Sequence, residues 1–286
     1  MKKESNIDGI LVVDKPSGMT SRDIVNEVSY LFKTKRIGHT GTLDPIASGV
    51  LVLTIGKCTK LSDYLTSKDK EYIVEFKLGY ETDTLDITGT TLKTSDKKVS
   101  ENDIIYTINS FIGSYEQEVP AYSAVKINGK KLYEYARNGE TIELPKRVVN
   151  IYSISEISIN DDLISFRVKV SKGTYIRSLV RDIGKKLGTY ATMVSLRRSK
   201  QGLFSLNDAC KLEDIKNDNY KLITSQELLS NELIIELDDK KYKEVSNGVQ
   251  QELDIDNEYV VYTYNTQLIA LYKKFDNGIY KMYIKF

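Results

Sequence analysis

The sequence predicts an α+β fold around a central, largely antiparallel mixed sheet. Strand-like runs outnumber helical ones, and the two do not alternate as a doubly wound parallel sheet requires. A third observation is a change of period: Tyr72, Val74, Phe76 and Leu78 alternate with Ile73, Glu75 and Lys77, the pattern of a strand with one buried face.

In chain order, Ile10 to Val13 is an apolar strand that ends at Lys15-Pro16-Ser17-Gly18. Thr20 or Ser21 then caps a helix whose Ile24, Val28, Leu31 and Phe32 share one face. Residues 50–55 form a strand, and Leu61, Tyr64 and Leu65 mark a short helix before the period-two strand that Gly79 ends. Ser100 with Asp103 has the form of a capping box. It opens a helix that turns Ile104, Ile105, Ile108, Phe111 and Ile112 inward and closes at Gly113. A short helix spans 132–137, and strands at 148–159 and 164–170 pair around an Asp161-Asp162 turn. The next helix runs from about Thr174 to Leu187, with Gly188 as its stop. Beyond a loose boundary in the polar stretch 214–220, a short helix ends at Asn247-Gly248. Strands follow at 259–264, 268–273 and 279–284, the last two joined by the hairpin signal Asp276-Asn277-Gly278. This organisation divides the chain into a main unit, 1–225, and a small β-rich unit, 226–286.

At 286 residues the chain is long enough for one substantial core and a small second unit. Its two cysteines, Cys58 and Cys210, are far apart with no second cysteine near either, so neither a disulfide framework nor a zinc ligand set is indicated, which points to a reduced, cytoplasmic protein. The apolar runs near the start are too short for a signal peptide or membrane span. Net charge is +1, which argues against a generic polyanion binder, yet the distribution is uneven. Between Leu163 and Asn207, ten lysines and arginines face one acid, Asp182, and past Asp208 the acids prevail.

The chemistry concentrates in Gly38-His39-Thr40-Gly41-Thr42-Leu43-Asp44-Pro45-Ile46-Ala47-Ser48-Gly49. Glycines supply backbone freedom, Pro45 fixes φ after the acid, and apolar anchors on both sides hold the Asp44 carboxylate still. Read alone, Asp44-Pro45 is also an ordinary turn dipeptide. The run resembles the G-H-x-G-x-L-D-P-x-A-[ST]-G motif of the TruB family of tRNA pseudouridine synthases. Four more stretches match that family in order: 14–21, beginning Asp14-Lys15-Pro16; 70–86, with Lys70-Glu71-Tyr72 and Thr82-Asp83-Thr84; 117–137, beginning Gln117-Glu118-Val119-Pro120; and Ser171 to Leu179, completed by Ser195-Leu196-Arg197-Arg198. One departure is Val119, where the family usually carries a first proline, and it touches loop stiffness alone.

The resemblance implies a pseudouridine synthase fold with a PUA-like RNA-binding C-terminal domain, and isomerisation of uridine 55 in the tRNA T loop after base flipping. The glycosidic bond is cut, uracil turns over in place, and C5 bonds to C1′. By the same resemblance Asp44 is the catalytic carboxylate, attacking C1′ or taking a C2′ proton, two paths the sequence leaves open. Arg177 partners Asp44 and favours its ionised form, although a residue four positions into a helix could instead contact phosphate. Tyr72 stacks on the base and serves proton transfer. Tyr175 orders Arg177 and the base, Leu196 walls the pocket, and His39 fills the space left by the flipped base. Lys15, Lys60, Lys126, Lys130 and Arg147 are candidates for backbone phosphates. The chemistry then needs side chains alone, with no metal and no cofactor. The expected partner is the T-arm stem-loop of tRNA, with the protein a monomer needing no membrane or obligatory protein partner.

Two other classes compete. A non-catalytic RNA-binding or tRNA-folding module would have no need of Asp44, and a nucleoside hydrolase would release free uracil. A guide-RNA-dependent relative is disfavoured by the short tail.

Overall fold

The computed structural model describes residues 7–276 and 278–286. Its centre is a nine-stranded mixed sheet. Seven strands form its path: β1 (Gly9–Lys15), β2 (Ser48–Ile55), β3 (Lys70–Leu78), β4 (Gly113–Glu118), β5 (Lys146–Asn160), β6 (Leu163–Val170) and β7 (Ala191–Gln201), in spatial order β1-β2-β7-β3-β6-β5-β4. Every neighbouring pair is antiparallel except β2 with β7, which run parallel through Arg197↔Ser48 and Arg198↔Gly49. That close pairing requires glycine at 49: its φ is +101°, and a Cβ there would sit 2.2 Å from the Arg198 carbonyl oxygen.

Three helices matter to the site: α1 (Ser21–Phe32), α2 (Glu101–Asn109) and α3 (Ile176–Leu187). Thr20 caps α1 in a reciprocal box with Asp23, and Ile24, Val25, Val28 and Phe32 are buried. Ser100 caps α2 as its sequence indicated, but the helix ends at Asn109, before Phe111 and Ile112. Only part of the expected apolar face turns inward: Ile104 and Ile108 are buried, while Ile105 and Ile112 are 39% and 48% exposed. Gly113 opens β4 instead of closing α2. Gly188 stops α3 in the left-handed conformation.

Strand β7, at the middle of the sheet, has no period-two apolar signature. Its buried positions include Thr192, Arg198, Ser199 and Gln201, polar residues that read as surface in one dimension and find hydrogen-bond partners only across the fold. Four arginines of the basic middle segment are paired with acids, most of them from outside it. Arg167 pairs with Glu71 and Glu156, Arg177 with Asp44, Arg181 with Glu118 and Asp182, and Arg197 with Asp14.

The charge reversal near Asp208 is not a structural break, because Cys210 and Ile223 hydrogen-bond along β1. A second, five-stranded sheet follows. It comprises β8 (Leu233–Glu236), β9 (Gln251–Glu252), β10 (Tyr259–Tyr264), β11 (Gln267–Asp276) and β12 (Ile279–Lys285), with a helix, α4 (Asp239–Ser246), after β8. Of the expected hairpin turn, Asn277 lies outside the described residues; its flanks, Asp276 and Ile279, are paired. Tyr259, Val261, Leu271 and Ile284 of this unit share one core with Ile10, Val12, Val50 and Val52 of the main sheet. Among the described residues no helix is long and apolar enough to cross a membrane.

Candidate active site

Asp44 lies in the loop between the short strand Ile37–His39 and β2. Four buried side chains clamp that loop by its backbone. Ser21, the first residue of α1, accepts from the Leu43 N–H at 2.8 Å and donates to the Leu43 carbonyl at 3.1 Å. Arg198 donates to the carbonyls of Val50 (2.6 Å) and Gly41 (3.0 Å), and Gln201 donates to the carbonyl and hydroxyl of Thr40. Lys15 supplies the fourth clamp. Its Nζ donates to the carbonyls of Pro16, Met19 and Ala47 at 2.6–2.8 Å and to Pro45 at 3.4 Å, joining the 16–19 turn to the far side of the Asp44 loop.

That placement corrects one expectation. Lys15 is 0% exposed and bound to carbonyls, so it braces the loop and reaches no phosphate. Burial pushes its ammonium down to about 8, the Asp44 charge opposing the shift, and it stays protonated at pH 7.

The Arg177 guanidinium meets Asp44 as a fork: Nε donates to Oδ2 at 2.8 Å and Nη2 to Oδ1 at 3.1 Å. Its remaining contacts are the carbonyls of Thr84 (2.8 Å, from Nη1) and Tyr122 (2.9 Å, from Nη2). The Arg177 side chain is 5% exposed and that of Asp44 33%. The Asp44 side chain is thus partly open while the cation behind it is enclosed. Arg177 is the second residue of α3, earlier than the sequence suggested, and its buried donors are engaged by three protein segments, which sets aside the phosphate-contact alternative.

Two further candidates lie on the sheet. Tyr72 on β3 is 8% exposed, and Leu196 on β7, 6% exposed, lies opposite Val74, two residues from Tyr72 on the same face. Tyr72 and Leu196 belong to one apolar cluster with Leu43 and Ile176, the residues directly preceding Asp44 and Arg177. Tyr175 precedes α3, and the Arg147 guanidinium lies 5.4 Å from its ring centre.

The other cationic candidates scatter. Lys126 and Lys130 sit on the hairpin that follows the Tyr122 segment. Lys126 is exposed; Lys130 is paired with Glu140 at 2.6 Å and stands over the Tyr135 ring. Lys60 donates to the Lys285 carbonyl at the seam with the second sheet.

His39 is half-buried, and its Nδ1 is enclosed without a hydrogen-bond partner. Burial first, then the charges of Arg22 and Arg198, lowers its pKa from 6.5. Protons therefore bind the unfolded chain more readily, so the neutral ring favours folding above pH 6.5 and that contribution is lost as pH falls through the folded-state value. The melting temperature is expected to fall more steeply between pH 7.5 and 5 in the parent than in His39→Gln, as read by calorimetry. Parallel curves would refute the buried neutral ring.

Sequence reasoning missed Ser21, Thr84, Gln117, Tyr122 and Gln201 as parts of the site. Each lies in or beside a matched stretch, but it acts through its backbone or on another backbone, which leaves no side-chain signature.

Comparison with known proteins bears on this geometry. The profile of the TruB family pseudouridylate synthase N-terminal domain matches residues 30–176, and that of the tRNA pseudouridylate synthase B C-terminal domain matches 177–239. The chain is 48% identical to tRNA pseudouridine synthase B of Caldicellulosiruptor saccharolyticus over 85% of its own length and 83% of that protein's. It is 40% identical to the tRNA pseudouridine synthase B of Clostridium perfringens strain 13 over 95% and 97%. Among solved structures, a chain of a Cbf5-Nop10-Gar1 complex superposes with a TM-score of 0.73 at 24% identity, covering 97% of this chain and 85% of that one, a likeness of fold.

Proposed function

The chain belongs to the TruB family of pseudouridine synthases, and from that premise we propose that it converts uridine 55 in the T loop of tRNA to pseudouridine, with Asp44 as the catalytic carboxylate. The observation that carries this reading is the Arg177–Asp44 fork: a half-open carboxylate backed by a buried guanidinium, in a loop clamped from four directions.

The enclosed guanidinium, 2.8 Å away, holds the carboxylate in place, and its exposed part engages the ribose of an everted nucleotide at C1′ or C2′. Tyr72 and Leu196 form an apolar wall that holds the detached uracil against the sugar while it turns, and keeps water from C1′. His39, a flat and neutral ring on the strand leading into the loop, fills the space the base vacates, at an unstacking cost of a few kcal/mol to the RNA. Lys126, Lys130 and Arg147 contact backbone phosphates. Residues 226–286 act as an additional RNA-contacting unit that shares a core with residues 1–225.

Incubation with unmodified tRNA, followed by pseudouridine mapping and assay for free uracil, tests this. Pseudouridine at position 55 and no released base is the expected result. Free uracil would make the protein a hydrolase, and tRNA that stays unmodified while bound would make it a binding module.

A further inference from the structure

Arg177 can meet Asp44 because two separate segments are held together: the first turn of α3, and residues 119–122 that follow β4. The end of β4 does the holding. Gln117, 0% exposed, clasps the residue ahead of α3 with both ends of its amide: Oε1 accepts from the Tyr175 N–H at 2.8 Å, and Nε2 donates to the Tyr175 carbonyl at 3.1 Å. The next residue, Glu118, binds the helix itself. Its carbonyl accepts from Ser178 Oγ at 2.9 Å and from Arg181 Nη2 at 3.3 Å, and its carboxylate accepts from Arg181 Nη1 at 2.8 Å. Arg181 lies one turn beyond Arg177, so the two guanidinium groups leave neighbouring positions of one helix, one facing Asp44 and the other Glu118. Past Glu118, the Val119 N–H is fixed to the Pro145 carbonyl, and three residues later Tyr122 presents its carbonyl to Arg177.

A buried amide and a buried guanidinium carry desolvation costs that an apolar pair of the same volume would avoid. What they add is a defined position, since directional bonds fix a helix start more narrowly than apolar contact does. Resting on the reaction proposed above, we propose that Gln117 and Arg181 are positioning residues for the Asp44–Arg177 pair. They hold the α3 start and the Tyr122 carbonyl at the spacing that lets one guanidinium satisfy both carboxylate oxygens. Neither touches the substrate, and both act through Arg177.

The test uses the full chain and unmodified tRNA, comparing Gln117→Leu, Arg181→Lys and Arg181→Met with the parent by melting temperature, tRNA dissociation constant and single-turnover rate. In folded Gln117→Leu the rate is expected to fall roughly 10- to 100-fold with tRNA affinity held within about threefold, the signature of sub-ångström misplacement. Arg181→Lys, which keeps the charge but not the two-pronged grip, falls between the parent and Arg181→Met. Combined with Arg177→Lys, Gln117→Leu costs less than about twofold more, because the residue through which it acts is already altered. A folded Gln117→Leu at the parental rate, full additivity in the double variant, or affinity falling in step with rate overturns the proposal. Should Gln117→Leu not fold, Arg181→Lys decides alone, a parental rate overturning it. Failure of the parent to make pseudouridine would instead sink the assigned reaction.

Discussion

Asp44→Asn is expected to lower pseudouridine formation by at least about 10⁴-fold, the upper range for loss of a positioned proton-transfer group, with tRNA affinity nearly unchanged. Asparagine preserves the volume and one acceptor for the guanidinium, so the loop, held by Ser21, Arg198, Gln201 and Lys15 through its backbone, keeps its shape. What disappears is the negative charge, and with it the ability to attack C1′ or to remove a C2′ proton. Single-turnover assays on unmodified tRNA alongside a filter-binding measurement separate the two quantities. Rates within tenfold of the parent would place catalysis elsewhere. Equal loss of affinity would make Asp44 a binding residue.

Arg177→Lys is expected to affect rate and stability together, with a rate loss of about 10²-fold, comparable to removal of one preorganised donor from an active site. Lysine keeps the charge but replaces a planar fork by a point, so it cannot serve both oxygens of Asp44 and the carbonyls of Thr84 and Tyr122 at once. Two part-buried carbonyls lose a donor, at up to roughly 1–3 kcal/mol each where no water replaces it, and the melting temperature falls. Because Arg177 faces the carboxylate and not the solvent, tRNA affinity changes less than turnover. A variant with the parental rate would show that the fork is structural alone, and a collapse of affinity at unchanged rate would revive the phosphate contact.

The two replacements also show why the site was partly legible before any fold was known. Asp44 stands in a run dense in glycine, proline and apolar anchors, and such a run constrains a carboxylate locally. Arg177 gave a weaker signal, since an arginine near a helix start suits a phosphate as well as a carboxylate. Its burial decided between them. Lys15 shows the opposite limit. A lysine beside Pro16 and Gly18 reads as an exposed phosphate ligand, whereas in the fold its ammonium is enclosed by four carbonyls contributed by two turns far apart in sequence.

Local periodicity and capping chemistry determined most of the elements by themselves: the capped helix after Thr20, the alternating strand through Tyr72, the hairpin around Asp161, and the Gly188 stop. These signals depend on neighbours within a few residues, so one dimension suffices to read them. The interior place of β7, the short edge strand β4, the shared core with the second sheet, and the convergence of Thr84 and Tyr122 on the Asp44–Arg177 pair were decided by tertiary structure alone. The shared core joins apolar side chains far apart in sequence; within the main sheet and at the site a polar group is buried against a partner many residues away. Such a group is indistinguishable from a solvated one until the fold brings the partner within hydrogen-bond reach.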